Sequence, residues 1–213
     1  MSHDSLPLSL PARLCLLAWD STDGDVTGAP LALVVRTGAL VELAQRGLLI
    51  DEDGIATPAD MDAETGDPVL DGLLELVRES RPHGWRTWVN LRARITLDAV
   101  REQLAAGGHL HADKRRVLGV FPTVEYALAG VAAVDALREA ARAVVLGPAP
   151  VAEVSERDAA LAVLADAAGV VADDEHDQGR LEELTERGGA AAPVLRTAAR
   201  EVRAARAAAS AVG

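Results

Sequence analysis

Lysine is almost missing from this chain: Lys114 is the only one, and every other basic side chain is an arginine. Aromatic residues are also scarce, at 2%. A core without them must be built from Leu, Val and Ala, which suits helices packed closely through small side chains. There is one cysteine, Cys15, so no internal disulfide can form, and a reducing compartment fits. Its apolar setting, LCLLAW, points to a buried and inert thiol. No apolar run reaches 18 residues, so no transmembrane helix is expected. The start, MSHDSLPLSLP, has no basic region and is broken by Pro7 and Pro11, so no secretory signal is expected. Gly-x-Ser-x-Gly, P-loop and Gly-x-Gly-x-x-Gly patterns are all missing. No catalytic constellation is readable, and a non-enzymatic protein without cofactor or metal is expected.

What is present is an ordinary soluble composition: 213 residues, 49% apolar and 25% charged. That length suits one sizeable domain, read here as residues 1–213, with LGPAPVAEVS (146–155) as the alternative boundary. The net charge of −12 is unevenly spread. Residues 1–79 carry 4 basic and 15 acidic side chains, whereas residues 80–145 carry 10 basic and 6 acidic ones. The remainder carries 7 basic and 12 acidic. The middle third is a basic island in an acidic protein. At physiological salt the Debye length is about 8 Å, so an anionic partner on the island would be partly shielded from the distant acids.

Most of the chain reads as helix. PARLCLLAW follows Ser9, with proline in the first turn. LALVVRTGALVELAQRG (31–47) has helical apolar spacing and stops at glycine. Asp67–Pro68 opens DPVLDGLLELVRES, whose Leu70, Leu73, Leu74 and Val77 fall on one face. Thr96 is expected to start TLDAVREQLAAGG. AAVDALREAARAVVLG (132–147), a Ser-x-x-Asp-capped segment at 155–169 and a tail over 193–209 complete the helices. Two stretches break the pattern as hairpins: LLIDEDGIATP (48–58) and HLHADKRRVLGVFP (109–122), the latter with Ala112–Lys114 near its turn. Each follows a glycine-terminated helix, so helix, glycine, strand, turn, strand is a repeated unit. The fold class is therefore mainly α, with short β-hairpins.

His109-x-His111 and Asp173–Asp177 have metal-binding residue types but no complete ligand spacing, and read as solvated segments. The arginines are more informative. Arg36 lies within the apolar VVRTGAL, where an arginine snorkels, pairs with a carboxylate, or points its fork into a pocket for an anion such as phosphate. Arg92, Arg94 and Arg101 belong to the basic island, and the solvated helix face is the alternative for each.

ALVELAQRGLLIDEDG, GDPVLDGLLELVRES, REQLAAGGHLHADKRRVLGVFPT and RDAALAVLADAAGV occur here in that order. Together they resemble the Golgi phosphoprotein 3 family, in its bacterial, actinomycete-like branch, over about residues 7–172. The resemblance implies a single, mostly helical domain with one protruding hairpin. It implies peripheral membrane binding through a phosphatidylinositol 4-phosphate pocket made of a tryptophan and basic side chains. Arg36 matches the arginine ahead of the glycine-terminated helix, whereas Thr27 stands where the tryptophan would be. Arg94 matches a second arginine. Leu97 stands at a third, for which Arg92 and Arg101 are the candidate substitutes. The coat-engaging basic tail of eukaryotic members has no counterpart in MSHDSLPL.

The same resemblance makes HADKRRVLGVFPT the protruding hairpin. Lys114, Arg115, Arg116, Val117, Leu118, Val120 and Phe121 are then candidates for self-association or membrane contact. The expected partners are an anionic lipid surface and other copies of the chain through the hairpin, with no nucleic acid. The expected location is cytoplasmic, peripheral on the inner face of the plasma membrane. Two other readings stand beside it: a winged-helix-like DNA-binding protein, opposed by the net charge, and a homo-oligomeric scaffold.

Overall fold

The computed structural model describes residues 8–19, 31–117, 121–171 and 177–211, without the side chains of 114–117 and 121–123. Nine α-helices and two antiparallel hairpins occur among the described residues, so the protein is mainly α, as the pattern predicts. Helix α1 spans Leu10–Leu17 and α2 spans Leu31–Gln45. Nearly every residue of α2 is buried, Arg36 and Glu42 included, so α2 is the central rod of the fold. A helix apolar on all faces has to be enclosed. Helix α7 (Glu156–Ala167) is enclosed in the same way, its run of alanines letting neighbouring backbones approach closely. Between them in sequence come α3 (Pro68–Glu79), α4 (Trp85–Asn90), α5 (Ala93–Ala106) and α6 (Val131–Leu146). Helices α8 (Gln178–Arg187) and α9 (Ala192–Ser210) follow.

The caps behave largely as their residue types dictate. Asp67 accepts from the backbone N–H of Val69 and Leu70 at the start of α3, with Pro68 in the first turn. Ser155 accepts from the N–H of Asp158 at the start of α7. Thr96 is the exception. Helix α5 begins three residues before it, after Arg92 in the left-handed region at φ 54°, and the Thr96 side chain is used elsewhere.

The repeated unit is real down to its hydrogen bonds. Gly47 (φ 70°) ends α2 and Gly108 (φ 75°) ends α5. Leu48 N–H donates to Leu43 O, and His109 N–H donates to Leu104 O, each spanning the helix end. This is the Schellman closure, which needs a left-handed residue that glycine supplies without a Cβ clash. Each helix then feeds a hairpin: β1 (Leu49–Glu52) with β2 (Ile55–Pro58), and β3 (Leu110–Val117) with β4 (Phe121–Leu128).

The two hairpins differ in what holds them. The first is docked: Ala56 N–H donates to His83 O, and the Trp85 indole N–H donates to Asp51. Among the described side chains of the second, Leu110 at the root is buried, while His111, Ala112, Asp113 and Val124 are exposed. Its pairing runs from Leu110↔Leu128 to Val117↔Phe121. Ala112–Lys114 therefore lie inside β3 and not at the turn, which is a correction to the sequence expectation. The basic triplet faces β4, with Lys114 paired to Val124, Arg115 to Thr123 and Arg116 to Pro122. Leu118 and Val120 lie outside the described residues.

Candidate functional site

Arg36 projects from the middle of α2 toward the junction of α4 and α5. Among the described residues it neither reaches solvent nor meets a carboxylate, the two ordinary fates expected of it. Its residue exposure is 2%. Its Nε donates to Trp88 O at 3.0 Å, Nη2 to Leu91 O at 2.8 Å and Nη1 to Thr96 Oγ1 at 2.8 Å. Helix α4 is short, and its last carbonyls have no partner in a following turn. The guanidinium supplies donors there and places positive charge at the negative end of the helix. The Thr96 hydroxyl completes the set. This explains why Thr96 does not cap α5.

The charge has a cost. Burial alone pushes the Arg36 guanidinium down to about 10, still far above neutral pH, so the group stays protonated. Of the five N–H donors of an arginine, these three bonds occupy three. One N–H on each terminal nitrogen is left over.

Arg36 and Thr96 line a cleft of about 210 Å³ between α3 and α5. Val69, Leu73 and Leu76 of α3 and Ile95 and Ala99 of α5 give it apolar walls. Ile95 is 61% exposed at the edge. Arg92, in its left-handed conformation, is the second basic lining residue. Its side chain has no ion pair or hydrogen bond among the described residues. A non-glycine residue at positive φ is strained, and such strain gathers at functional sites. No acidic side chain lines the cleft among the described residues. Gly72 also lines it, in the interior of α3, where a Cβ would meet nothing within 4 Å. A glycine there weakens the helix for no packing reason and leaves the cleft open.

The four arginines singled out from the sequence are thus divided. Arg36 and Arg92 share the cleft. Arg94 is 74% exposed and pairs with Asp98 at 3.6 Å, one turn along α5. Arg101 lies elsewhere, with its guanidinium carbon 5.7 Å from the Trp19 ring and 5.8 Å from the Tyr126 ring. It clamps the end of α1 and the root of β4 onto α5 by cation–π contact. Thr27 and the side chains of Lys114, Arg115, Arg116, Val117 and Phe121 lie outside the described residues. Sequence reading missed Thr96 and the apolar walls. Arg92 stands just before α5 in the left-handed region, so no helical period in the sequence links it to Thr96.

Cys15 is fully buried, and desolvation pushes its thiol up to about 12 despite the opposing charge of Arg101. Among the described residues no helix is long and apolar enough to cross a membrane. A cleft with a buried cation at its floor, a second cation, apolar walls and no acid can accept a phosphate carried on an apolar body. A family model described as Golgi phosphoprotein 3 matches residues 10–202. No curated protein matches the chain.

Proposed function

The chain belongs to the Golgi phosphoprotein 3 family, and from that premise we propose that it binds an anionic phospholipid head group, of the phosphatidylinositol 4-phosphate kind, as a peripheral and non-enzymatic membrane protein. The observation that carries this reading is Arg36: a buried guanidinium with three neutral acceptors, two N–H groups left and, among the described residues, no carboxylate partner. A buried cation without a counter-charge is costly, and an anionic ligand offsets that cost. The fork geometry of arginine suits phosphate oxygens. Arg92 supplies a second charge, and each such residue at an anionic surface contributes about 1 kcal/mol. Ile95 and Leu76 give the lipid's apolar part a surface.

The projecting β3–β4 hairpin is proposed as a second contact, with other copies of the chain or with the same membrane. Its sequence KRRVLGVFP joins basic and apolar residues. The proposed location is the cytoplasmic face of a membrane.

Flotation with liposomes tests the reading. Neutral liposomes should leave the protein at the bottom of the gradient, while liposomes containing phosphatidylinositol or its 4-phosphate should carry it up. Raising the salt should release it. Failure to float with any anionic liposome at low salt overturns the proposal.

A further inference from the structure

Helix α6 packs on α1 and α7 and buries Val134, Ala141 and Val145. On its other side Val131, Asp135, Arg138, Glu139, Arg142 and Leu146 fall within an arc of about 100° at 3.6 residues per turn. All of them are exposed except the half-buried Arg138. Val131 is 58% exposed and Leu146 45%, one at each end of the helix. Asp135 pairs with Arg138 at 3.4 Å, and Arg138 is also tied back to the carbonyls of Leu17 and Trp19. Glu139 and Arg142 are neighbours along the helix, yet neither makes an ion pair or hydrogen bond among the described residues. Two large apolar side chains, an acid and a base are thus left to water on one stripe.

The stripe reads apolar, acid, base, acid, base, apolar, and its spacing is the same from either end. A second α6 laid antiparallel, with a twofold axis between residues 138 and 139, sets Val131 against Leu146 of the partner subunit. The same axis sets Asp135 against Arg142 of the partner subunit and Arg138 against Glu139 of the partner subunit. Every pair is complementary: apolar meets apolar and acid meets base. An isologous interface requires this self-complementarity. A parallel pair would set each charge against its own copy. Ala132, Ala136 and Ala143, beside the stripe, are exposed and short, so two helices can approach closely. The 16 residues of α6 give a contact about 24 Å long. One helix face covers less than the roughly 800 Å² per partner of a standard interface, so the dimer is weak and reversible.

We propose that the exposed stripe of α6 is a homodimer interface, antiparallel and matched in charge across a twofold axis. It is separate from the Arg36 cleft and does not depend on the lipid reading. The test is sedimentation equilibrium of the full chain over a concentration series, with circular dichroism to confirm that each variant is folded. The chain should pass reversibly from monomer to dimer, and added salt should favour the monomer. Asp135→Arg and Arg142→Asp each turn two attractive pairs repulsive and should weaken the dimer about tenfold or more. The double variant Asp135→Arg with Arg142→Asp restores opposite signs and should recover it, as should an equimolar mixture of the two single variants. Leu146→Ser should weaken the dimer, and Phe121→Ser, in the β3–β4 hairpin, should leave it unchanged. A monomer at every concentration overturns the proposal. So do single charge variants that dimerise like the parent chain, or a double variant no better than either single one. A dimer lost in Phe121→Ser alone belongs to the hairpin and equally overturns it.

Discussion

Replacing Arg92 by glycine separates the stability and the binding roles of one residue, because the two should move in opposite directions. Arg92 sits at φ 54° and ψ 31°, just before α5. A side chain in the left-handed region costs about 1–2 kcal/mol relative to glycine there. Glycine gives back about 0.4–1 kcal/mol through the greater freedom of the unfolded chain. The Arg92 side chain makes no ion pair or hydrogen bond among the described residues, so no further loss offsets the gain. The expected net is a gain between about 0 and 1.6 kcal/mol, which for a chain of this size is a Tm rise of up to about 6 °C. Binding to anionic liposomes should fall at the same time. Loss of one basic residue worth about 1 kcal/mol is about fivefold in affinity. The assays are thermal unfolding by circular dichroism and quantitative flotation on the same preparation. Arg92→Lys should keep most of the binding and all of the strain. A clear drop in Tm for Arg92→Gly would refute the strain argument. Unchanged flotation would remove Arg92 from the head-group site.

Arg36→Met removes all three hydrogen bonds and leaves Trp88 O, Leu91 O and Thr96 Oγ1 without that donor. At about 1–3 kcal/mol per buried polar group left unpaired, urea unfolding should show a loss of at least about 3 kcal/mol. A loss under about 1 kcal/mol would contradict a structural role. Gly72→Ala places a methyl group in open space on the cleft wall. It should stabilise α3 by roughly 0.5–1 kcal/mol while weakening flotation. A destabilised protein would show that the space is not open. Cys15, pushed up to about 12 from 9.0 by burial, should resist iodoacetamide at pH 9, where an ordinary thiol is half ionised and this one about a thousandth. The sign for stability follows from the raised folded value. The contribution is complete below pH 9 and is lost as pH rises toward 12, because the unfolded thiol ionises first. Rapid labelling of the native protein at pH 9 would refute the burial of Cys15.

Local signals in the chain carried much of the architecture. The apolar spacing of Leu70, Leu73, Leu74 and Val77, the Asp67–Pro68 start and the glycines at 47 and 108 act within a turn or two of where they stand. They specify helices, ends and hairpins without help from distant residues. Helix α4 escaped because six residues, WRTWVN, are too few to show a period. The turn of the second hairpin was misplaced because Asp113 has the chemistry of a turn residue, while the register follows from pairing along the whole ribbon. Arg36 was legible as an anomaly, an arginine on an apolar helix, but its role was not.

That role was decided by tertiary structure. Its acceptors lie 52, 55 and 60 residues away in the chain, and only the packing of α2 against the α4–α5 junction brings them together. The same packing selects Arg92 for the cleft, turns Arg94 to solvent and places Arg101 between two rings. It also lets Glu42, 32 residues from Leu10, accept from the first N–H of α1. Sequence alone determined which segments become helix or hairpin, since those choices rest on neighbours along the chain. Which side chains converge was decided only when the helices enclosed α2.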